Sequence, residues 1–492
     1  MSDSTFQTRR SLVLVSVMLA MFMIAIEATI VATAMPEIVG RLGGFSLYSW
    51  VFAGFLLTQT ATTVLFGKLA DLYGRRPVMI CGIVIFLIGS TLCGFATTMI
   101  GLIAFRLLQG LGAGAMQPVA MTIVADLYSP EERAGIQGYL SSVWGISAVI
   151  GPLVGGIIVE KLSWPWVFWI NIPFGIATVF MLLKCLHEGV ERKKHSLDIL
   201  GSALFAIGIS CLLVALTEIG QEGANPIVIW ITLAAFLVCV PAFIWQERRA
   251  EEPMLDLSLW RDKLISSSNA TSLVAGMALT GVTSYLAVYV QGVMGYSATI
   301  AGLTLTMTAV GWPIAAFLAR KLYSRMAMQT TLRLGSGLVV IGAAVLPFLT
   351  PGTSPIIAGL GSLVIGFGMG FLIVTCIIMI QGSVSWQQRG SATAANVFSR
   401  TLGQTLGAVV LGSVLNFGLH NYSKATPVNT ESVRKLLEPG SSLPNRELVV
   451  NALAHGLTLA FWCVLAFAVI SMFLAFLIPN RNMEDLVGGA KG

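Results

Sequence analysis

Long apolar stretches separated by short polar segments run through almost the whole chain of 492 residues. An α-helix needs about 20 apolar residues to cross the hydrocarbon core of a bilayer. Fourteen stretches of this kind are predicted, at 12–36, 48–66, 77–97, 99–123, 135–159, 166–186, 197–217, 226–246, 264–290, 297–319, 330–350, 354–380, 393–419 and 448–478. The pattern therefore predicts an all-α polytopic membrane protein.

Composition supports this prediction and excludes several other classes of protein. Apolar residues make up 56% of the chain and charged residues 11%, against about 25% charged in a soluble domain. No basic stripe alternates with aromatic residues outside the apolar stretches, so nucleic acid is not an expected partner. The seven cysteines lie in or beside apolar stretches without a CxxC pair, so we expect no disulfide framework, metal site or cofactor.

The distribution of basic residues predicts the orientation. An even number of spans puts both termini on one side of the membrane. If that side is the cytoplasm, the inner segments hold 21 Lys and Arg and the outer loops 6, while Arg106 and Arg400 lie within spans. Because cytoplasmic loops are enriched in Lys and Arg, both termini are predicted to be cytoplasmic, and the expected location is a plasma membrane, the inner membrane of a bacterium.

The chain also contains an internal repeat. LYGR at 72–75 recurs 250 residues later as LYSR, and the glycines at 110, 112 and 114 recur at an offset of 256. Two homologous halves with a site at their interface are typical of transporters. The predicted division is a six-helix bundle over 1–186, a linker with two inserted helices over 187–263, and a second six-helix bundle over 264–492.

One carboxylate, Glu27, lies deep in the first apolar stretch. A charge at that depth costs at least about 2.5–3.5 kcal/mol and is rare without a function or a partner. Apolar surroundings disfavour the anion, so such a group can take up and release a proton as water reaches it from alternate sides. A cation entering the site would expel the proton. The alternative is a polar packing residue satisfied by its neighbours.

Two further charges accompany the fourth stretch. Arg106 keeps its proton under ordinary conditions and shares a helix face with Gly110 and Gln117. It is expected either to pair with a carboxylate or to extend to the membrane interface. Asp126, at the inner end of the stretch, is expected to be a solvated surface residue, with a second proton-transfer step as the alternative.

The segment after the second stretch, GKLADLYGRR at 67–76, combines one acid with three bases. An ion-pair latch between Asp71 and these bases is one interpretation, and a solvated positive loop is the other. The gate prediction covers these residues: Gly67, Asp71, Gly74, Arg75 and Arg76.

A second candidate gate element lies in the fifth stretch, where Gly151, Pro152, Gly155 and Gly156 permit close helix crossing and a bend. They suit either a hinge or a sealed seam between helices, and ordinary glycine packing is the alternative. Arg400 has no assigned partner in the sequence and is expected to meet Asp71 or the inner gate.

Four segments carry a resemblance to a known family. GKLADLYGRR at 67–76 resembles the signature loop of the major facilitator superfamily, and RLLQGLG at 106–112 and GPLVGG at 151–156 resemble its elements in the fourth and fifth helices. EATIVATAMP at 27–36 resembles the first-helix element of the fourteen-helix drug:proton antiporters. Two departures are Glu27, where that branch usually has Asp, and Pro165, where it usually has Arg.

The resemblance implies the major facilitator fold, with two six-helix bundles and two inserted helices, and functional roles for Arg106 and Asp71. The function expected is proton-coupled antiport that exports lipophilic, often cationic drugs by alternating access, driven by the proton gradient and without enzymatic chemistry. The predicted partners are lipophilic small molecules, protons and the bilayer, with the monomer as the working unit. The alternatives are a transporter of one defined solute or lipid with different coupling, and a non-transporting membrane sensor.

An apolar cavity with aromatic side chains and one acid suits lipophilic cations, because aromatic faces attract cations. The candidate cavity residues are Trp50, Gln117, Trp144, Tyr285, Tyr289, Trp312 and Asn396. The alternative for most of them is helix packing or the interfacial aromatic belt.

Overall fold

The computed structural model describes residues 9–43, 48–188, 198–219, 225–250, 259–422, 433, 436 and 445–479. Within these ranges the chain is helical and contains no β-strand. The fourteen long helices are α1 (Arg10–Leu42), α2 (Tyr48–Tyr73), α3 (Arg75–Gly94), α4 (Met99–Leu127), α5 (Pro130–Lys161), α6 (Asn171–Cys185), α7 (Ile199–Ile219), α8 (Pro226–Glu247), α9 (Lys263–Val288), α10 (Ala298–Tyr323), α11 (Met328–Val345), α12 (Pro355–Ser383), α13 (Arg389–Tyr422) and α14 (Arg446–Phe476).

Thirteen segments of the described chain are long and apolar enough to cross a membrane. A one-turn helix, Trp166–Trp169, joins α6 in forming one of them, and α9 continues into a π-helical turn, Tyr289–Val293. The remaining long helix, α7, has the shorter apolar stretch Leu200–Leu216. The all-α prediction is confirmed.

Several helices begin at side chains that accept hydrogen bonds from the first free backbone N–H groups. Ser129 and Glu132 form a reciprocal capping box at the start of α5. Asp262 caps α9 by accepting from Leu264 N at 2.8 Å, and Ser297 caps α10. The capped starts of α5 and α10 follow short connections, so α4 and α5, and likewise α9 and α10, are joined by little chain.

Helix packing follows a repeated pattern. In the first set, α1–α6, helix α1 packs against α5 and α6, and α4 against α2 and α3. In the second set, α9–α14, helix α9 packs against α13 and α14, and α12 against α10 and α11. The two sets meet mainly where α5 contacts α10 and α2 contacts α13. The division at 186/187 and 263/264 and the side on which the termini lie stay predictions.

Helices α7 and α8 pack on each other, and α7 also contacts α2 and α13. Phe205 and Phe243 form an apolar cluster with Ala61, Val64 and Phe398. The pair of helices thus covers the line along which α2 of the first set meets α13 of the second.

Candidate functional site

Glu27 lies at the centre of a buried polar cluster, and its side chain is 0% exposed. One carboxylate oxygen, Oε1, accepts from Arg106 Nη1 of α4 at 2.6 Å. The other, Oε2, accepts from Asn171 Nδ2 of α6, also at 2.6 Å. Both carboxylate oxygens are therefore engaged by donors from two other helices.

The partners of Glu27 are held by further hydrogen bonds. Arg106 Nη1 also donates to Gln109 Oε1 at 2.8 Å, and its Nε donates to the carbonyl of Val51 at 3.1 Å. Gln109 and Asn171 both donate to Ser90 Oγ, each at 3.2 Å. The network spans α1, α2, α3, α4 and α6, so the carboxylate is held by most of the first set.

Charge compensation makes this burial possible. An isolated buried carboxylate or guanidinium would cost several kcal/mol, whereas a charge-assisted pair with its remaining donors bonded offsets much of that cost. The ring of Phe55 covers the Arg106 guanidinium at 4.3 Å. The pairing of Arg106 with a carboxylate, one of the two expectations from the sequence, is thus observed, and its role in proton coupling stays a prediction. We call Glu27, Arg106, Gln109, Asn171 and Ser90 the Glu27 cluster.

A second polar cluster joins the two sets of helices through Asp71. Its Oδ1 accepts from the backbone N–H of Gly390 at 2.8 Å, and its Oδ2 accepts from Ser391 N and Oγ at 2.7 and 2.8 Å. These N–H groups belong to the first turn of α13, where the helix has no internal acceptors and favours a negative charge. A carboxylate from α2 therefore caps a helix of the other set.

Arg75 extends this cluster. The guanidinium is 0% exposed and contacts Asp71 Oδ1 at 3.1 Å and Asp126 Oδ2 at 2.9 Å. Asp126 in turn pairs with Arg389 at 3.2 Å. Arg75 also donates to the carbonyl of Trp386 at 2.7 Å and lies 3.9 Å from its ring centroid. We call Asp71, Arg75, Asp126, Trp386, Arg389 and Ser391 the Asp71 cluster.

Asp126 is the first correction to the sequence-based expectations. It was expected to be a solvated surface residue, but its side chain is 15% exposed and bonded to two arginines. A second proton-transfer step at Asp126 stays a prediction. The physical reason is that the end of α4 lies beside the starts of α3 and α13. Asp126 therefore belongs to the contact between the sets and lies outside the Glu27 cluster.

Glycines make the approach at this cluster possible. A Cβ at Gly67 would clash with Ala394 and lie 2.8 Å from the carbonyl oxygen of Gly390. Gly74 has a φ of 94°, a conformation that favours glycine and lets the chain turn directly from α2 into α3.

Glu188 and Arg76 link this turn to the end of α6. The carboxylate of Glu188 accepts from the backbone N–H groups of Arg75 and Arg76 at 3.1 and 3.0 Å. Burial raises the pKa of Glu188 above its usual value, although these hydrogen bonds oppose the rise. Arg76 donates to the carbonyl of Leu183 at 2.8 Å, so its side chain points away from Asp71.

The glycine-rich segment of α5 separates into two groups of positions. A Cβ at Gly151 would clash with Thr29 of α1, and one at Gly155 would lie 3.1 Å from Ile30. A Cβ at Gly156 would meet nothing within 4 Å, because this position faces away from α1. The expectation that Gly156 lies in a close helix seam is therefore wrong. The side chain of Pro152 lies outside the described residues.

Arg400 does not reach Asp71, whose oxygens are occupied by α13 backbone groups and Arg75. The expected contact between Arg400 and Asp71 is therefore absent. Arg400 lies eleven residues into α13 and is partly exposed.

The candidate cavity residues lie in different environments. Tyr289 is 1% exposed and donates to the carbonyl of Leu349 at 2.6 Å, so it is held in the packing of the second set. Asn396 donates to Asn269 and Ser272 of α9, both at 3.0 Å. Gln117 is buried, Trp144 is exposed, and three side chains are partly buried: Trp50, Tyr285 and Trp312. Their substrate contacts stay predictions.

Six of the residues that complete the two clusters are absent from the sequence-based set of candidates: Ser90, Gln109, Asn171, Trp386, Arg389 and Ser391. The partners of Asn171, Trp386 and Ser391 are more than 140 residues away in the chain, so no local pattern pairs these residues with Glu27, Arg75 or Asp71. Arg389 carried a signal, since it repeats Arg133 at the offset of 256 found for the glycines. In the part of the chain that the structure describes, no group of His, Cys, Asp and Glu could hold a metal ion.

Comparisons with known proteins agree with this fold. Residues 17–408 match the family model of the Major Facilitator Superfamily. Multidrug transporter protein MdtP of Bacillus subtilis is 35% identical over 419 residues, covering 85% of this chain and 77% of the relative. Multidrug resistance protein 3 of the same organism is 35% identical over 410 residues, covering 83% and 80%.

A solved structure, that of the human organic anion transporter MFSD10, superimposes with a TM-score of 0.66 at 15% identity. The match covers 95% of this chain and 100% of that one, and at this identity it bears on the fold alone. Together with the family match, the fold identifies a multi-pass membrane protein of a transporter class that is not enzymatic. The chain belongs to the Major Facilitator Superfamily.

Proposed function

We propose that this protein is a multidrug exporter that couples the outward movement of lipophilic compounds to inward movement of protons across a bacterial plasma membrane. The observation that carries the proposal is the Glu27 cluster, in which a carboxylate with 0% exposure lies deep in the first span. Two relatives at 35% identity are named a multidrug transporter and a multidrug resistance protein. Intramembrane acids of this kind commonly mark proton or substrate pathways.

The proposed architecture is the fourteen-helix arrangement, with two six-helix bundles and both termini in the cytoplasm. Its support is the packing pattern, because the contacts of α1–α6 recur among α9–α14. Helices α7 and α8 then form the inserted pair. The excess of Lys and Arg in segments on the side of the termini supports the orientation.

Proton coupling in this proposal depends on the ion pair between Glu27 and Arg106. Protonation of Glu27 removes the negative charge that compensates the guanidinium at 2.6 Å. A buried arginine without its counter-ion is strongly destabilised, so the protonated protein favours a different arrangement of α1, α4 and α6. Release of the proton restores the pair. A cationic substrate that approaches the carboxylate would favour the same release.

Alternating access in this proposal uses the Asp71 cluster as the gate on the cytoplasmic side. In the structure α13 is joined to α2 by three hydrogen bonds that Asp71 accepts, and to α4 by the ion pair between Asp126 and Arg389. Opening that side requires these contacts to break, because they join helices of the first set to α13 of the second. The conformation described here is thus assigned as closed to the cytoplasm.

The test is efflux of ethidium from proteoliposomes driven by a pH gradient. Glu27→Gln is expected to abolish the pH-driven component, because the amide cannot take up a proton at neutral pH. Glu37→Gln is the matched control, since Glu37 lies on the same helix in an exposed pair with Arg41. Normal pH-driven efflux by a folded Glu27→Gln protein would contradict the proposal.

A further inference from the structure

Arg400 lies within α13, and its surroundings differ from those of three arginines in the two clusters. Arg75, Arg106 and Arg389 each contact a carboxylate oxygen at 2.6–3.2 Å. Arg400 has neither an ion pair nor a side-chain hydrogen bond to any residue that the structure describes. A guanidinium stays protonated under all ordinary conditions, so Arg400 brings a permanent positive charge without a counter-ion among the described residues.

The acids that could compensate Arg400 are already engaged. Glu27 is bound by Arg106 and Asn171, and Asp71 by Arg75 and the start of α13. Intramembrane charges usually face a water-filled path or the bundle interior, because exposure to lipid is costly. The position of Arg400 between its neighbours on α13 indicates which space it faces.

Two neighbours on α13 define that direction. Thr393, seven residues earlier, accepts from Gln381 of α12 at 3.2 Å, and Gln381 also donates to the carbonyl of Met121 of α4 at 3.3 Å. Asn396, four residues earlier, donates to Asn269 of α9. Residues four and seven apart share a helix face. Arg400 thus continues the face that looks between α9, α12 and α4, where the two sets of helices meet.

This region also contains a second donor without a partner. Asn269 accepts from Asn396 through its Oδ1, while its Nδ2 has no hydrogen-bond partner among the described residues. A buried amide donor is costly to leave unbonded. Arg400 and Asn269 therefore supply donors and positive charge without a matching acceptor.

We propose that Arg400 is the anion subsite of the transport pathway, which binds the carboxylate of amphipathic substrates, namely lipophilic carboxylates and zwitterions. This inference rests on the proposed export function and specifies its substrate class. A guanidinium binds a carboxylate through two parallel hydrogen bonds, which a lipophilic cation cannot accept. The subsite therefore extends the range of cargo beyond cations.

The test compares two dyes that differ only at one carboxyl group. Rhodamine B is a lipophilic zwitterion with a free carboxylate, and rhodamine B methyl ester is the corresponding lipophilic cation. Export of each is measured in proteoliposomes under a pH gradient, and binding is measured by fluorescence polarisation of the detergent-solubilised protein. The variants are Arg400→Gln, Arg400→Lys and the control Arg320→Gln, which removes a charge from an exposed position on α10.

Arg400→Gln is expected to weaken binding and export of rhodamine B by about 10- to 100-fold, as expected for hydrogen bonds to a charged group, and to leave the ester within a factor of about two. Arg400→Lys keeps the charge without the two-pronged geometry, so it should give a smaller loss, again confined to rhodamine B. Arg320→Gln should behave as the wild type with both dyes.

Equal loss of both dyes in Arg400→Gln and Arg400→Lys would overturn the inference, because it would indicate a structural or gating role. Unchanged handling of rhodamine B in either variant would also overturn it, as would a wild-type protein that exports the ester alone. If Arg400→Gln does not fold, Arg400→Lys still tests the inference, because a loss confined to rhodamine B supports the anion subsite and an equal loss of both dyes overturns it. A wild-type protein that exports neither dye would contradict the proposed export function itself.

Discussion

Replacing Asp71 by Asn removes one negative charge from the contact between α2 and α13. The carboxylate accepts three hydrogen bonds from Gly390 and Ser391 at 2.7–2.8 Å and contacts Arg75 at 3.1 Å. The Asn side chain keeps one acceptor oxygen, but its NH2 group replaces the other oxygen and cannot accept from the donors of Gly390 or Ser391 on that side. Because these contacts join helices from the two sets, their loss changes the balance between closed and open states more than it changes folding.

The size of the effect follows from these contacts. A hydrogen bond to a charged group contributes about 1.5–3 kcal/mol net of water, and the Asp71 side chain is only 3% exposed, so solvent screens it little. Losing one or two such bonds weakens the closed state by about 3 kcal/mol. At about 1.4 kcal/mol for each factor of ten, the closed-to-open ratio falls about 100-fold.

The assay is the distribution of distances between spin labels at Tyr73 and Ser324, which are exposed at corresponding ends of α2 and α10. A background without the free cysteines is required. Asp71→Asn should shift the distribution toward longer distances. Asp262→Asn is the matched control, because Asp262 caps its own helix α9. An unchanged distribution in Asp71→Asn would refute the assignment of this cluster as a gate.

Three further predictions concern packing, coupling and pH. Gly151→Ala should lower the melting temperature in detergent, because the added methyl group clashes with α1 and destabilises the fold by about 1–3 kcal/mol. Gly156→Ala is the control and should leave the melting temperature unchanged, because a Cβ there meets nothing within 4 Å. Equal shifts in the two variants would contradict this packing. Asn171→Ala should destabilise the protein by about 1–3 kcal/mol, because it removes the donor to Glu27. The same substitution should cost less in a Glu27→Gln background, which has lost the charged acceptor. Equal costs in the two backgrounds would contradict the coupling of these residues. Burial raises the pKa of Glu188 in the folded state above its value in the unfolded chain. The free energy of unfolding should therefore fall as the pH rises from the unfolded-state pKa through the folded-state pKa, and Glu188→Gln should remove this dependence. Identical curves of stability against pH for the wild type and Glu188→Gln would contradict this prediction.

The helical fold could be predicted from the sequence because apolar stretches of membrane-spanning length are a local property. Glu27 and Arg106 could be singled out for the same reason, since each is an unusual charge within an apolar stretch. Their 2.6 Å contact required the packing of α1 against α4, which the pattern does not specify.

The partners within the Asp71 cluster could not be predicted from sequence patterns. Asp71 was singled out as a candidate from its local motif, but two of its four partner groups are backbone N–H groups at the start of α13, more than 300 residues away. Residue types along the chain do not reveal such donors. Asp126 was misjudged because charged neighbours in sequence suggested solvation, whereas Arg75 and Arg389 approach it in space.

The seam contact predicted for Gly156 and the contact predicted between Arg400 and Asp71 were wrong for a related reason. A glycine motif does not indicate which of its members faces the neighbouring helix, and the rotation of α5 turns Gly156 away from α1. A lone arginine within a span suggested an acidic partner. Among the described residues, Asp71 and Glu27 are instead paired with Arg75 and Arg106, and neither acid contacts Arg400.

The central claim is that Glu27 exchanges a proton for cargo. The most direct measurement is proton release on addition of ethidium to the detergent-solubilised protein in weakly buffered solution with a pH-sensitive dye. The account predicts proton release by the wild type and by Glu37→Gln, and none by Glu27→Gln that still binds ethidium. Equal proton release by Glu27→Gln and the wild type would contradict it.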